Sequence, residues 1–473
     1  MKRLKKTMLL FLATAALILS SCSAKNGSLV QTLESSNEVS DDKIQEKNPY
    51  QDKIKDLPNE DFGGAAFRIA TDSSSLFLNA NHASVVGKNQ YLRNKAVEEK
   101  YNVTLTLTDE SGLPTIAERV RTEALAGNDF CDLVVLRSSS FSLLASANLL
   151  HNVRTVPYLE LDNENIYQSS LTGATFGGIT YGFASDFILE DENMFSVFFN
   201  REMLEKTNLP DLYDLVAQNQ WDFENFLLYA EEVYSLEAST GNRITGFCST
   251  ETRESLLNVF WAASGNSFFS NEYGKRPELI YDNEDTERFI TMIQSILFQT
   301  PIYSPDEQTA DLKFKNGTAF FLIAPLSYAE SFTSCGVNWG VVPLPKLDIN
   351  QREFHSYVKS TPLYAGFTIG TSNLKMSGLI STALVQSSSS LWQELAIMSH
   401  LNLYAFSSRD AEMLRSILKS PYYDAAEFLS VFDDSISAST QTLLYRAASQ
   451  EGRFDSLYEQ YNKMLKKYLD EKF

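Results

Sequence analysis

Residue types that build metal sites and disulfide frameworks are scarce in this chain of 473 residues, which has four histidines and four cysteines. No two histidines are four residues apart, and no two cysteines have the CxxC spacing of a zinc site. Beyond Cys22, the cysteines are Cys131, Cys248 and Cys335, an odd number at wide spacing. A chain of this length does not need disulfides for stability. We therefore expect no metal ion, no cofactor and no disulfide framework.

Positive charge is also scarce, since 40 lysines and arginines face 60 aspartates and glutamates, which gives a net charge of −20. An acidic surface repels phosphate backbones, so we expect no nucleic-acid partner. The sequence also lacks a nucleophile elbow, a metal-binding motif and a phosphate-binding loop. With 44% apolar and 12% aromatic residues, the chain can still form substantial cores. These features favour a globular protein that is not an enzyme.

One apolar run, Met8–Leu19, follows four basic residues within positions 2–6. The run is too short to cross a bilayer, which takes about 20 residues, and its charge layout is that of a secretory signal. The segment Leu19-Ser-Ser-Cys22 then resembles a bacterial lipoprotein signal, in which residues 1–21 are removed and Cys22 receives a diacylglyceryl group. Each buried lipid CH₂ contributes about 0.8 kcal/mol, so two acyl chains such as palmitate would hold the protein at a membrane. We expect a lipid anchor on the extracytoplasmic face of the cell membrane; an ordinary secretory signal or an anchor helix is the alternative.

Residues 22–61 are predicted to be the lipidated cysteine and a flexible tether. They are polar, with few large apolar side chains and no periodicity, so they cannot bury enough surface to fold. The chain that follows is much longer than the roughly 100 to 200 residues of an average domain. Two lobes are therefore expected.

From Phe62 onwards, short β-branched runs alternate with helical patterns. Strands are predicted at 66–71, 103–108 and 133–136, with helices at 91–100 and 114–126 between them. This alternation implies crossover connections and a mostly parallel sheet, so the predicted fold class is α/β. Further strands are predicted at 194–199, 319–323, 340–342 and 365–369, and further helices at 201–206, 222–236, 251–263 and 286–298. Helices dominate from Lys375 onwards.

A series of short motifs runs from about Asp61 to beyond Asp424. It includes Gly63-Gly64, Asn94–Val103, Ala126–Val135, Asn148–Leu150, Phe198–Met203, Asp211–Val216, Gln220–Glu224, Gly317–Phe321, Trp339–Lys346 and Ser408–Leu414. Their order and spacing resemble those of extracellular solute-binding proteins of ABC importers, in the group of the maltose-binding type. The segments Asp211–Val216 and Ser408–Leu414 are similar to a clostridial-type lipoprotein branch of that family.

The resemblance implies a two-lobed fold of the periplasmic-binding-protein type (type II), with a sheet flanked by helices in each lobe and a helical C-terminal region. Lobe 1 would comprise residues 62–185 with 346–390, and lobe 2 residues 186–345 with 391–473. The implied function is that of a monomeric receptor that closes on a small solute, expected to be a carbohydrate or oligosaccharide, and delivers it to the transmembrane subunits of an ABC permease. A solute that touches both lobes favours the closed state, and no catalytic group is needed.

Sugar sites combine planar hydrogen-bonding side chains with aromatic platforms, and loops at the carboxyl ends of parallel strands bring such groups together. The predicted ligand-binding residues are Asp72, Ser73, Arg137, Ser138, Ser139, Asp186, Trp261, Leu326, Tyr328 and Tyr364. Three of these residues have a specific structural alternative. A turn or helix cap would explain Asp72, a surface salt bridge Arg137, and core packing Trp261.

Two departures from the maltose-binding type concern the ligand. Positions that are aromatic in that type are Leu136 and Leu326 here, with Tyr328 two residues further on. The loss of two platforms argues against a maltodextrin. The stretch 238–247 also lacks the carboxylates of a calcium loop found in clostridial-type relatives, so we expect no calcium there.

Three alternatives to the sugar receptor remain open. A surface glycosidase would need paired carboxylates, and Glu190-Asp191-Glu192 offers a candidate, although such runs usually cap helices or lie in solvated loops. A sensor subunit for a membrane kinase would use the same binding fold. A solute other than a sugar, such as a polyamine or a peptide, would keep the receptor role and change the ligand.

Overall fold

The computed structural model describes residues 48–77, 85–108, 115–238, 244–359, 362–388, 397, 407–430, 435–449 and 454–472. The predicted signal, Cys22 and most of the predicted tether lie outside these residues. Numbered in chain order, the strands are β1 (Ala65–Thr71), β2 (Val103–Leu107), β3 (Leu133–Arg137), β4 (Thr175–Phe176), β5 (Ile179–Thr180), β6 (Phe195–Asn200), β7 (Thr245–Ser249), β8 (Phe269–Ser270), β9 (Glu278–Leu279), β10 (Tyr303–Ser304), β11 (Ala319–Pro325), β12 (Trp339–Val342) and β13 (Leu363–Gly366).

The first sheet has four strands in the order β13-β3-β1-β2. Strand β1 is parallel to both neighbours, with Ile69 opposite Leu107 on one side and Leu133 on the other. Strand β13 is antiparallel to β3 and places Leu363 opposite Arg137. The carboxyl ends of β1, β2 and β3 therefore share one sheet edge with the amino end of β13.

The second sheet has five strands in the order β10-β7-β11-β6-β12. Strands β10, β7 and β11 are parallel, and Phe321 of β11 lies opposite Phe247 of β7. Strand β6 runs antiparallel to both β11 and β12. All residues of β6 and β11 are buried, as expected for central strands covered by helices on both faces. The carboxyl ends of β7 and β11 thus share an edge with the amino end of β6.

Helices surround the two sheets, and β4–β5 and β8–β9 form two small antiparallel hairpins. The α-helices span Pro49–Lys53, Val85–Tyr101, Ile116–Leu125, Ser138–Ser146, Gln168–Gly173, Arg201–Glu205, Leu212–Ala217, Phe223–Ala238, Arg253–Ala263, Glu284–Ile293, Ala310–Lys315, Ala329–Phe332, Leu374–Ser387, Ser408–Leu418, Ala425–Ser430, Ser435–Ala448 and Phe454–Lys472. The α/β fold class is confirmed. No helix in the described part of the chain is long and apolar enough to span a membrane.

Side-chain caps explain why several helices begin where they do. Thr115 and Glu118 form a reciprocal capping box at the start of Ile116–Leu125, which satisfies two backbone N–H groups that lack helical partners. The same helix ends just before Gly127, whose φ of +70° an L-residue rarely adopts. Asp222, just before the helix Phe223–Ala238, accepts a hydrogen bond from the backbone N–H of Asn225 at 3.0 Å, as an N-cap residue does.

Two chain segments run between the sheets, and we call residues 183–195 and residues 357–359 with 362–365 the crossing pair. The backbones of Phe183 and Ala365 exchange two hydrogen bonds, of 3.0 and 2.8 Å. At the other end, the N–H of Lys359 donates to the Asn193 carbonyl at 2.9 Å, and the N–H of Phe195 to the Tyr357 carbonyl at 2.8 Å. The crossing pair is thus an antiparallel, mostly irregular ribbon that joins the edges of both sheets.

The structure corrects the predicted end of the tether. Residues 49–53 form a helix that begins at the N-cap Asn48, whose side chain accepts the Tyr50 N–H. Tyr50 and Ile54 are buried, and the Tyr50 hydroxyl donates to Asn89 at 3.0 Å. A few apolar side chains thus attach this segment to the helix Val85–Tyr101, although the average composition around them is polar. Order begins before Asp61.

The last predicted strand, 365–369, is displaced. Pairing with β3 covers Leu363–Gly366, two residues earlier than expected, because the next residues change partner. Thr368 forms a bridge with Leu150, and the N–H of Ile369 donates to the Leu149 carbonyl at 3.0 Å. The extended pattern read from the sequence therefore spans two different pairings. The boundaries of the two lobes stay a prediction.

Candidate functional site

The ends of β1 and β3 bring three predicted ligand-binding residues together. The backbone N–H of Arg137 donates to an Asp72 carboxylate oxygen at 3.4 Å. The Ser73 hydroxyl lies 3.5 Å from the other oxygen of Asp72. These residues meet because β1 and β3 are adjacent and parallel, so their carboxyl ends reach the same edge.

Glu190, in the crossing pair, completes this group. Its carboxylate accepts hydrogen bonds from both terminal nitrogens of the Arg137 guanidinium, at 2.7 and 2.8 Å, and the two groups form a bidentate ion pair. The Ser73 hydroxyl donates to it at 3.3 Å and the Asn193 side-chain amide at 3.2 Å. The side chains of Arg137 and Glu190 are 27% and 19% exposed. The pair is half-buried, where a planar guanidinium and carboxylate hold each other in a defined orientation.

A second ion pair lies at the edge of the second sheet. Glu251, which follows β7, accepts the Lys359 ammonium at 2.8 Å. Lys359 belongs to the crossing pair, and its backbone N–H donates to the carbonyl of Asn193, three residues after Glu190. A chain of polar contacts therefore leads from the end of β3, through the crossing pair, to the end of β7.

An aromatic group borders the same region. The rings of Tyr167 and Tyr423 stack with centroids 6.1 Å apart, and Tyr364 meets Tyr423 edge-on at 5.3 Å. The Tyr167 hydroxyl donates to the buried carboxylate of Asp186. Tyr167 is half-buried, whereas Tyr364 and Tyr423 are buried. Tyrosines beside carboxylates and a guanidinium give the site both apolar faces and directed hydrogen bonds.

Charges and burial act on the titratable groups of this site. Desolvation raises the pKa of Asp72 above its usual value, and the Arg137 N–H and guanidinium oppose that shift. The hydrogen bonds that Arg137 donates to Glu190 raise the pKa of the guanidinium, which stays charged. Burial raises the pKa of the Tyr423 phenol, and the negative charges of Asp186 and Glu190 raise it further. The phenol is therefore neutral at physiological pH.

Three other predicted ligand-binding residues lie near the first sheet but outside the group of Asp72, Ser73, Arg137 and Glu190. Ser138 begins the helix Ser138–Ser146, is buried, and donates its backbone N–H to the Pro362 carbonyl at 2.8 Å. Ser139 is exposed on the first turn of that helix. Asp186 is 3% exposed and pairs with Tyr167. As ligand contacts, these residues stay predictions.

The aromatic and apolar residues predicted at the site lie mostly in cores. Trp261 is 2% exposed and packs against Phe268, with ring centroids 4.6 Å apart. Tyr364 is 1% exposed and packs against the ring of Phe141 at 5.6 Å as well as on Tyr423. Core packing thus accounts for both side chains in this conformation. Their role as platforms is still only predicted.

The loop after β11 lies against the crossing pair. The N–H of Leu326 donates to the Met194 carbonyl at 2.9 Å, and the side chain is buried. Tyr328, two residues later, is half-buried and is the partly accessible aromatic residue of this loop. The loop thus belongs to the edge of the second sheet that faces the crossing pair, as its position after a parallel strand predicts.

Sequence reasoning missed three residues of this site. The run Glu190-Asp191-Glu192 is typical of a helix cap or a solvated loop, and no local pattern marks Lys359 or Tyr423. One signal was present: the acidic residues 190–192 stand between two apolar runs, 187–189 and 194–199, where a solvated loop is unexpected. Lys359 and Tyr423 come close only through long-range contacts. Within the described ranges, no group of three or more metal-ligating side chains is placed to hold an ion.

Comparison with known proteins gives a family. The family described as bacterial extracellular solute-binding protein matches residues 93–377. This range includes β2, β3, the first crossing segment, the second sheet and β13. No curated protein matches the chain. Among solved structures, the chain is similar to the ABC substrate-binding protein Lmo0181 from Listeria monocytogenes in complex with cycloalternan, with 12% identity, a TM-score of 0.47, and coverage of 87% of this chain and 100% of the other.

Proposed function

Because the chain belongs to the bacterial extracellular solute-binding proteins, matching that family over more than half of its length, we propose that it captures a carbohydrate or oligosaccharide and delivers it to an ABC permease. The anchor would be the lipidated Cys22, which keeps the receptor at the outer face of the membrane. Capture would occur by closure of two lobes on the solute, without a chemical step. The family consists of binding proteins, which agrees with a receptor and not with a glycosidase.

The observation that carries the sugar proposal is the composition of the site around Arg137. Asp72, Arg137 and Glu190 offer planar groups that donate and accept hydrogen bonds in fixed directions. The half-buried ring of Tyr167, stacked on the buried Tyr423, adds an aromatic face next to the carboxylate of Asp186. Sugars present hydroxyls in many directions together with apolar CH faces, so this pairing of groups suits them.

The charges at the two sheet edges favour a solute that is not anionic. Arg137 is neutralised by Glu190 and Lys359 by Glu251, and Asp72 adds a further carboxylate. A phosphate or carboxylate entering this region would meet negative charge without a spare cation among these five residues. A neutral sugar suits the site, and a polyamine is the second candidate because the surplus carboxylate would attract it.

A screen of neutral oligosaccharides by thermal shift, followed by calorimetry, tests the proposal. A solute at 100 times its Kd stabilises the folded chain by about 2.7 kcal/mol, which a melting curve detects readily. We expect one sugar class to raise the melting temperature, and spermidine and a peptide mixture to have no effect. Binding of spermidine or peptide with no response to any sugar would overturn the solute class. Release of product from a bound oligosaccharide would overturn the receptor role.

The lipid anchor has its own test. The variant Cys22→Ala should appear in the culture medium, whereas the unchanged chain stays with the membrane fraction. Its affinity for the solute should be unchanged, because residue 22 precedes the described fold by 26 positions. Retention of Cys22→Ala on the membrane would contradict anchoring through this cysteine.

A further inference from the structure

Glu190 occupies the point where the ligand-binding edge of the first sheet meets the chain that connects the two sheets. It lies in the crossing pair, five residues before β6, yet it forms a bidentate ion pair with Arg137 at the end of β3 and accepts a hydrogen bond from Ser73 just after β1. An acidic side chain in a solvated loop would contact water. This one is 19% exposed and accepts four hydrogen bonds.

The same carboxylate is coupled to the second sheet through two residues. The Asn193 amide donates to Glu190, and the Asn193 carbonyl accepts the backbone N–H of Lys359. Lys359 in turn pairs with Glu251 beyond the end of β7. A rotation of one sheet relative to the other must change the geometry of at least one contact in this series, because Arg137–Glu190 joins the crossing pair to the first sheet and Lys359–Glu251 joins it to the second.

We propose that Glu190 is a positioning residue that fixes Arg137 at the solute site and, through the crossing pair, sets the resting angle between the two sheets. A bidentate partner removes much of the rotamer freedom of an arginine, so the guanidinium is held ready for the solute. This role rests on the proposed function in one respect, that capture involves movement of the two sheets. Glu190 itself need not touch the solute.

Among the contacts between the predicted lobes are two hydrogen bonds that do not involve Glu190 or Arg137. The Ser169 hydroxyl donates to the Pro421 carbonyl at 3.3 Å, and the Gly274 N–H donates to the Gly178 carbonyl at 3.3 Å. Both are single hydrogen bonds between loops or helix ends, at the long end of the distance range. The bidentate pair of Glu190 is a stronger restraint than either of these two hydrogen bonds.

The test measures the distance between spin labels and needs no solute. One label is placed at Leu125→Cys, on a helix that packs on the first sheet, and the other at Leu312→Cys, on a helix that packs on the second. Both leucines are exposed, at 62% and 51%. The chain carries Cys22→Ala and Cys335→Ser so that only the new cysteines react.

The remaining cysteines suit this design. Cys131 and Cys248 are buried, and desolvation raises the pKa of each thiol to about 12. Burial keeps a thiol-directed label away from both side chains, and the raised pKa leaves only a very small thiolate fraction at neutral pH. The label therefore does not react with Cys131 or Cys248 in the folded chain.

We expect Glu190→Gln to broaden or shift the distance distribution by pulsed electron resonance, and Arg137→Lys, which keeps the charge but loses the bidentate geometry, to do the same. The control Glu60→Gln breaks an ion pair of similar length, to Lys375 at 2.6 Å, that does not involve the crossing pair; its distribution should match the parent. Distributions for Glu190→Gln and Arg137→Lys that superimpose on the parent would overturn the proposal. Broadening in Glu60→Gln as well would overturn it equally, because the effect would then not be specific to this edge.

A binding measurement then separates the positioning role from a structural one. With the solute found in the glycan screen, Glu190→Gln should raise Kd by about tenfold in the parent and have no further effect in the Arg137→Ala background. Equal effects in both backgrounds would show that Glu190 does not act through Arg137. If the chain binds no glycan, only the sugar proposal is refuted. The spin-label experiment needs no solute and therefore still tests the positioning role of Glu190.

Discussion

Asp424 provides a stability prediction that depends on pH. It lies next to Tyr423, at the start of the helix Ala425–Ser430, where its carboxylate accepts the Ala426 N–H at 2.8 Å. Burial raises the pKa of this carboxyl from 3.8 to about 6. An unfolded chain gives up the proton near pH 4, whereas the folded chain keeps it to about pH 6. The folded state therefore binds more protons in this window, and stability falls as pH rises from about 4 to 6.

The magnitude follows from the size of the shift. A shift of about two pKa units corresponds to up to about 3 kcal/mol that is lost between pH 4 and 6 and does not return above it. The amide oxygen introduced by Asp424→Asn would still accept the Ala426 N–H, since asparagine is as good an N-cap as aspartate, but the amide carries no charge. The variant should therefore match the parent at pH 4 and be more stable by up to about 3 kcal/mol at pH 8.

Melting temperatures of both chains from pH 4 to pH 8 would check this. Unfolding entropy of about 2.1 cal/mol/K per residue makes 1 kcal/mol worth about 1 °C in a chain of this length, so the difference should grow to about 3 °C. The control is Asp211→Asn, at an exposed N-cap that pairs with Arg409 at 3.2 Å; losing that favourable contact should slightly lower stability at neutral pH. A melting difference for Asp424→Asn that is the same at pH 4 and pH 8 would refute the reasoning.

Two further predictions concern the packing of the helix Leu374–Ser387 and an ion-pair network at the first sheet. Gly378→Ala should be strongly destabilising in urea unfolding, by about 2 kcal/mol or more, because the new Cβ would lie 2.0 Å from the Pro157 carbonyl oxygen; Gly336→Ala, with nothing within 4 Å, should change little. Asp132→Ala should cost about 3 kcal/mol in the same assay, because the buried carboxylate accepts three N–H groups of Arg68; a loss below about 1 kcal/mol would show that this network is not needed.

Local patterns in the sequence are sufficient to predict those strands and helices that depend mainly on neighbouring residues. The strands predicted at 103–108 and 133–136 correspond to β2 and β3, and the helix predicted at 114–126 corresponds to Ile116–Leu125. Adjacent parallel strands then forced Asp72 and Arg137 together, which is why these two could be chosen from the sequence. Such predictions depend only on neighbours along the chain and on one rule of sheet topology.

What could not be predicted depends on contacts between distant segments. Tyr50 attaches the end of the predicted tether to a helix about 40 residues away. The average composition of the tether does not reveal the contact of this single side chain. Glu190 gains its role only because the crossing pair passes beside Arg137, 53 residues earlier. Trp261 could be either platform or core from its helix position, and its surroundings are supplied by Phe268 and Phe289.

Calorimetric titration of the chain and of Arg137→Ala with the sugar selected by the glycan screen decides whether this edge of the first sheet binds the solute. We expect saturable binding of one solute per chain and a Kd higher by about tenfold or more for Arg137→Ala, with the melting temperature in the absence of solute unchanged to within about 2 °C. Equal affinity in the two chains would contradict the placement of the solute at the Asp72, Arg137 and Glu190 edge. Binding of no sugar by the unchanged chain, alongside tight binding of a polyamine or peptide, would contradict the claim that this receptor captures a carbohydrate.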